Sequence, residues 1–159
     1  MTIKRYLLVV AFILLAYCNA LAGGVGTWKN YLAYSDVQWV EEGSNKLYVL
    51  ASNSLYTYNK NDQSIKTYDK VNGLSDTDIR FIAWNKTARR LVIIYSNNNI
   101  DLLDDRGNVT NVPDYYLKTT MADKTVNGID MSGVYCYLST GFGLVKLNVA
   151  KAEISDSYN

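Results

Sequence analysis

An all-β fold is predicted: a partial β-propeller of about three four-stranded antiparallel blades with an N-terminal closing strand. Three observations lead there. One strand-rich pattern recurs, opening at Val37, Ile79 and Val126, with starts 42 and then 47 residues apart. Each copy runs through the same series of a short alternating stretch, a polar turn, a stronger apolar strand, a tight polar connection and further strands. Nothing divides the array, since proline occurs once, at Pro113, and no Ser/Gly-rich linker or long charge run interrupts it. A period in the forties built from strands is the signature of a propeller blade. Propellers close as rings of roughly 4–8 blades, so this chain reads as the opening piece of a larger protein.

The first element, residues 1–22, is a signal peptide. Lys4 and Arg5 form a basic start, Tyr6 to Tyr17 is nearly unbroken apolar sequence, and Ala20-Leu21-Ala22 supplies the small residues a signal peptidase requires. The apolar stretch is shorter than the roughly 18–20 residues that span a bilayer, which disfavours a membrane anchor. Cys18 raises a lipoprotein reading, but Tyr17 stands where the lipobox needs a small residue. Cleavage removes two positive charges and takes the formal net charge from +1 to −1. A nearly neutral mature chain has no electrostatic case for nucleic acid or an anionic membrane surface.

The partial propeller occupies residues 23–159. Within it, 27–34 (Thr27-Trp28-Lys29-Asn30-Tyr31-Leu32-Ala33-Tyr34) is an extra strand without a blade of its own, the kind that closes a ring by pairing an open edge. Blade one, 37–68, begins with the alternation Val37-Gln38-Trp39-Val40 and continues through Leu47 to Ala51, Leu55 to Tyr58 and the more polar Ile65 to Tyr68. Blade two, 79–112, repeats this with Ile79 to Trp84, the apolar run Leu91 to Tyr95, Ile100 to Leu103 and Val109 to Val112. The run from Leu91 to Tyr95 suits a strand buried on both faces. Pro113 to Lys124 is an enlarged loop. Blade three, 126–158, passes through Val134 to Leu138, turns at Ser139 to Gly143, and ends with Glu153 to Tyr158.

Several chemistries are excluded by composition. The sequence contains no histidine, so a Ser-His-Asp triad, a Cys-His pair and the common zinc sites are out. After signal cleavage Cys136 is the one cysteine, which precludes an internal disulfide, and its alternating strand context makes it a small core residue. No cofactor is expected: Gly23-Gly24-Val25-Gly26 precedes no helix and is no phosphate loop. Asp76 with Asp78 and Asp104 with Asp105 are the nearest carboxylate pairs, and both lie in turns, where Asp is favoured for local backbone hydrogen bonds. Most tyrosines, such as Tyr48, Tyr56 and Tyr137, alternate within strands and read as packing residues. Tyr115 and Tyr116 sit instead in the enlarged loop. They are the candidate ligand-contacting residues, because binding residues concentrate on such loops.

Two segments go beyond a generic blade pattern. Asn72-Gly73-Leu74-Ser75-Asp76-Thr77-Asp78-Ile79 resembles the "NGL-(S/P)-x-n-x-I" joint of two-component regulator propeller repeats, and Ser139-Thr140-Gly141-Phe142-Gly143-Leu144-Val145 resembles their "g-T-x-x-G-L-x" turn. With Trp28-Lys29-Asn30-Tyr31 just after the signal peptide, the chain resembles the N-terminus of PorZ-like proteins, cell-surface components of the type IX secretion system of Bacteroidetes. Blade two departs from the pattern, carrying Ser96-Asn97-Asn98-Asn99-Ile100 where "T-x-x-G-L" would stand.

The resemblance implies an exported protein with two propellers and a C-terminal domain, part of a complex that attaches secreted cargo to surface lipopolysaccharide. It implies a non-enzymatic binding and scaffolding role, at the periplasm or outer-membrane surface. The implied partners are proteins of a cell-surface complex, with a surface glycan or lipopolysaccharide as a further candidate. The alternative is the periplasmic ligand-sensing propeller of a hybrid two-component regulator, and a shared fold alone does not separate the two.

Overall fold

Twelve strands and one short helix form from this sequence among the described residues. The computed structural model describes residues 34–119 and 122–158. Every described residue belongs to one compact unit, Leu32–Asn159. The signal peptide, and the closing strand apart from Tyr34, lie outside the described residues.

The strands are β1 (Val37–Glu42), β2 (Lys46–Ala51), β3 (Ser54–Asn59) and β4 (Ile65–Tyr68), then β5 (Ile79–Asn85), β6 (Arg90–Tyr95), β7 (Ile100–Asp104) and β8 (Val109–Asn111). The helix α1 (Asp114–Leu117) comes next, and then β9 (Val126–Ser132), β10 (Tyr135–Thr140), β11 (Gly143–Asn148) and β12 (Glu153–Tyr158). Each consecutive four make one antiparallel sheet in chain order, β1 to β4, β5 to β8 and β9 to β12. This is the all-β, three-bladed architecture that the period predicts. The outermost strands β4, β8 and β12 are largely exposed, in keeping with their polar sequences.

The connections explain why particular residues stand in them. Ser52 and Asn53 both take positive φ, 48° and 57°, the backbone that joins two antiparallel strands through a two-residue turn without splaying them. In the joint between blades one and two, Gly73 sits at φ 125°, which lets Leu74 turn into the core, where it is buried. The Asp69 carboxylate accepts from the backbone N–H groups of Val71 (2.8 Å) and Asn72 (3.0 Å) and so shapes the same joint. In blade three, the Thr140 hydroxyl donates to the Gly143 carbonyl at 2.8 Å. The joint and the turn thus owe their residue types to backbone geometry.

Two hydrophobic cores lie on opposite sides of blade two. Tyr48, Leu50 and Leu55 of blade one meet Leu91, Ile93 and Tyr95 of β6 on one side. Val92 and Ile94 of β6 meet Cys136, Leu138 and Leu147 of blade three on the other. Because successive strand residues point to opposite faces, an unbroken apolar strand serves two cores at once. All five residues from Leu91 to Tyr95 are 0 % exposed, and burying such side chains contributes roughly 1.5–3 kcal/mol each. A polar contact adds to the first: the Lys46 ammonium of blade one donates to the Asp105 carbonyl at 2.8 Å, and within blade two the Asp105 carboxylate accepts from Arg89 Nε at 2.7 Å.

Within the first core, Tyr95 donates its hydroxyl to Asp101 Oδ2 at 2.6 Å. Asp101 is fully buried and also accepts from the Ser75 backbone N–H (2.8 Å) and from Asn111 Nδ2 (2.8 Å). One carboxylate thereby ties β6, β7, the end of β8 and the inter-blade joint. Burial, reinforced by Asp101, pushes the Tyr95 phenol far above its ordinary value.

Candidate functional site

The innermost strands share a feature that alternation does not reveal. Along β1 the pairing with β2 steps from Val37 opposite Ala51 to Trp39 opposite Leu50, leaving Gln38 as an extra residue. Along β5 the pairing with β6 steps from Ile79 opposite Tyr95 to Phe81 opposite Ile94, leaving Arg80. Along β9 it steps from Gly128 opposite Ser139 to Val126 opposite Thr140, leaving Asn127. Each is a β-bulge, a device that re-aims a side chain and sharpens local twist. The three bulges are equivalent by position, and each is held the same way. Backbone N–H groups at the hairpin tips, Ser52, Ser96 and Gly141, donate to the carbonyls of Asp36, Asp78 and Thr125, which precede the inner strands. Gln38, Arg80 and Asn127 are all exposed, so the inner strands present three polar side chains at one level.

A cleft of about 550 Å³ opens between these inner strands, within the roughly 300–1,000 Å³ typical of ligand sites. Leu50, Ile79 and Ile82 are its buried apolar floor. Trp39, 58 % exposed, and Phe81 supply aromatic walls, and Gln38, Asn53, Arg80 and Ser96 stand at the polar rim. The rim is pre-arranged. Gln38 Nε2 donates to Asn53 Oδ1 at 2.8 Å, the Asn53 backbone N–H donates to Gln38 Oε1 at 3.0 Å, and Asn53 Nδ2 donates to Asp78 Oδ1 at 2.5 Å. The Trp39 indole donates to Glu41 Oε1 at 2.7 Å, which fixes the ring. The Arg80 guanidinium carbon lies 5.5 Å from the Phe81 ring centroid.

The enlarged loop carries the two tyrosines singled out in the sequence, and the structure separates them. α1 turns Tyr115 inward, where it is 1 % exposed, while Tyr116 is 46 % exposed. The Tyr115 hydroxyl donates to the Lys124 carbonyl at 2.6 Å, and the Lys124 ammonium donates to the carbonyls of Tyr115 (3.2 Å), Tyr116 (2.8 Å) and Lys118 (3.0 Å). Tyr115 therefore anchors the loop from beneath, and Tyr116 with Leu117 (66 % exposed) stands on its outer side.

The titratable groups are held by local structure. Burial alone would raise the Asp104 carboxyl, but hydrogen bonds from Asn108, Arg106 and Gly107 outweigh it and hold it below its ordinary value. Asn53 and Ser96 hold Asp78 below the same value. For Asp76, hydrogen bonds from Thr77 and Asn97 with the Lys70 charge outweigh the opposing effect of burial. Burial, with Asp130 as a smaller cause, pushes the fully buried Cys136 thiol well above its ordinary value. Among the described residues no group of three or more His, Cys, Asp or Glu side chains is placed to hold a metal ion. No described helix is long and apolar enough to cross a membrane.

The family profile "TSS9, PorZ, N-terminal beta-propeller domain" matches residues 47–159. The chain belongs to this PorZ family. Among solved structures it is similar to PorZ of Porphyromonas gingivalis, described as an essential bacterial surface component of the type-IX secretion system. The identity is 38 %, the TM-score 0.77, and the similarity covers 84 % of this chain but 18 % of that one. The extracellular domain of a one-component system protein from B. thetaiotaomicron is similar at 18 % identity and a TM-score of 0.61, covering 85 % of this chain and 18 % of that one. AztD from Citrobacter koseri is similar at 15 % identity and a TM-score of 0.59, covering 77 % of this chain and 33 % of that one. The last two likenesses are of fold alone. No protein with a curated description matches the chain. The PorZ-family stretch begins at Leu47, inside β2, so β1 with Gln38 and Trp39 lies before it.

Proposed function

We propose that this chain is the N-terminal blade array of an exported, non-enzymatic, PorZ-like component of type IX secretion, serving surface attachment of cargo by binding other proteins of a cell-surface complex. The observation that carries the reading is the combination of the family match over residues 47–159 with 38 % identity to PorZ. The chain spans 18 % of that PorZ structure, so partners and cargo belong to the proposal and to the whole protein. A non-enzymatic role agrees with the absence of histidine from the sequence and with the buried, protonated Cys136. It agrees too with acidic residues engaged in turns and in an inter-blade contact, Glu41 with the Trp84 backbone N–H. A surface glycan or lipopolysaccharide is the further candidate partner. The periplasmic sensor of a hybrid two-component regulator is the weaker reading, because its B. thetaiotaomicron counterparts share 18 % identity or less.

The test is isolation of the tagged protein from cross-linked cell envelopes, then mass spectrometry. Enrichment of known type IX secretion components supports the reading. A transmembrane segment and histidine-kinase domain on the same polypeptide, with no such enrichment, would replace it with the sensor.

A further inference from the structure

The cleft between the inner strands has a chemistry that the secretion reading does not use, and its ligand class is independent of that reading. Three features are set side by side. The floor is apolar and buried, formed by Leu50, Ile79 and Ile82. Its aromatic wall is flat and accessible, since Trp39 is 58 % exposed although it lies within a strand, and its indole N–H is fixed by Glu41. At the rim stands one cation, Arg80, carried on a β-bulge that takes it out of the alternation of β5. An exposed tryptophan next to a re-aimed arginine over an apolar floor is a costly arrangement for packing alone. Exposed large aromatics and bulged polar residues are instead features of recognition sites.

The distribution of charge selects the ligand. Glu41, the carboxylate in the cleft, is at the far end: its Oε2 accepts from the Trp84 backbone N–H at 3.1 Å. Trp84 is four residues beyond Arg80 on β5, about 13 Å along a strand. At the Arg80 end the nearer carboxylate of the rim is Asp78, and it is engaged by Asn53 Nδ2 at 2.5 Å. Both Glu41 oxygens already accept N–H groups. Asp123 is an opposite charge within range of Arg80, and it already accepts from the Thr125 backbone N–H at 2.8 Å. The guanidinium presents a planar fork suited to a carboxylate. Beside it Gln38 is oriented by its two bonds to Asn53 and adds an amide donor at the same level.

We propose that this cleft binds a carboxylate carried next to a flat or bulky apolar group, with the carboxylate on Arg80 and Gln38 and the apolar group against Trp39 and Phe81. The C-terminal residue of a peptide and a free aromatic acid share this chemistry.

The test is calorimetric titration of the whole protein that carries this chain with four probes: N-acetyl-phenylalanine, its carboxamide, and a hexapeptide ending in Phe as the free acid and as the amide. Hydrogen bonds to a charged group are worth about 1.5–3 kcal/mol, so each acid binds about tenfold or more tightly than its amide. Arg80→Gln lowers acid affinity to that of the amide and leaves the amide unchanged, whereas Trp39→Ala weakens both. Both residues are exposed, so unchanged melting temperatures certify that the variants fold. A peptide acid that outbinds the N-acetyl amino acid supports the site and identifies a chain end as its ligand. Equal affinity supports it with a free acid sufficing. Equal binding of acid and amide, full acid affinity in Arg80→Gln, or no saturable binding of any probe overturns the proposal.

Discussion

Replacing Asp101 by Ala tests how the blades are locked together. The carboxylate accepts from Tyr95, Ser75 and Asn111 at 2.6, 2.8 and 2.8 Å. After the substitution the three donors fare differently. Asn111 Nδ2 keeps bonds to Asn99 Oδ1 and to the Ile100 carbonyl, each 3.0 Å, and Ser75 is half-buried and within reach of water. Tyr95 is 0 % exposed, so its hydroxyl is left buried without an acceptor. A hydrogen bond to a charged group contributes about 1.5–3 kcal/mol, and an orphaned buried donor costs about 1–3 kcal/mol. Asp101→Ala therefore destabilises by about 3 kcal/mol or more, and Tyr95→Phe by about 1.5–3 kcal/mol. Because both remove the same bond, the double variant is less destabilised than the two losses summed, by about 1.5 kcal/mol or more. The assay is urea unfolding monitored by circular dichroism, with all variants at one low protein concentration, since association shifts apparent stability. A loss below about 0.5 kcal/mol for Asp101→Ala, or strictly additive effects, refutes the reasoning.

The same contacts set other expectations. Tyr48→Phe raises stability by about 1 kcal/mol, because the Tyr48 hydroxyl is buried with no partner among the described residues; a thermal melt checks it. Gly43→Ala lowers stability by about 1–3 kcal/mol, since a Cβ there would stand 2.6 Å from the Tyr48 ring that stacks on Trp84. Stability is flat from about pH 5 to 9 because no histidine titrates there. It falls below about pH 4: Asp76, Asp78 and Asp104 have folded values below the unfolded one, so their contribution is present above it and lost as they protonate. It falls again above about pH 10, because the unfolded chain ionises its phenols there while burial opposes the ionisation of Tyr48 and Tyr95 in the fold. A melting series across pH with a step near 6.5 would contradict this. Residues 23–159 expressed alone self-associate through exposed apolar residues such as Val37, Val40 and Tyr158; light scattering showing a clean monomer would refute that.

The fold was readable from the sequence because its strands are written in alternation and its turns in Gly, Asn and Ser. The run from Leu91 to Tyr95 announced a strand buried on both faces, and both faces are filled. What escaped was whatever depends on a partner strand. A bulge exists only relative to the opposite chain, so nothing in Gln38, Arg80 or Asn127 alone marks them as extra residues. The alignment of the three copies at their second residue is the signal that could have found them. Tyr115 and Tyr116 were legible as loop residues, but α1 spans four residues, too short for periodicity to say which ring turns inward. The cleft combines β1, β5 and Ile129 of β9, and no single repeat contains it.

The central claim is that this chain serves type IX secretion, and the most direct measurement is made in the source bacterium. The gene is deleted, then restored either whole or lacking the codons for residues 37–158, and the cell-surface and medium fractions are quantified by mass spectrometry. The account predicts that type IX cargo fails to reach or remain on the surface after deletion, and that only the whole gene restores it. Normal cargo display in the deletion strain would contradict the account.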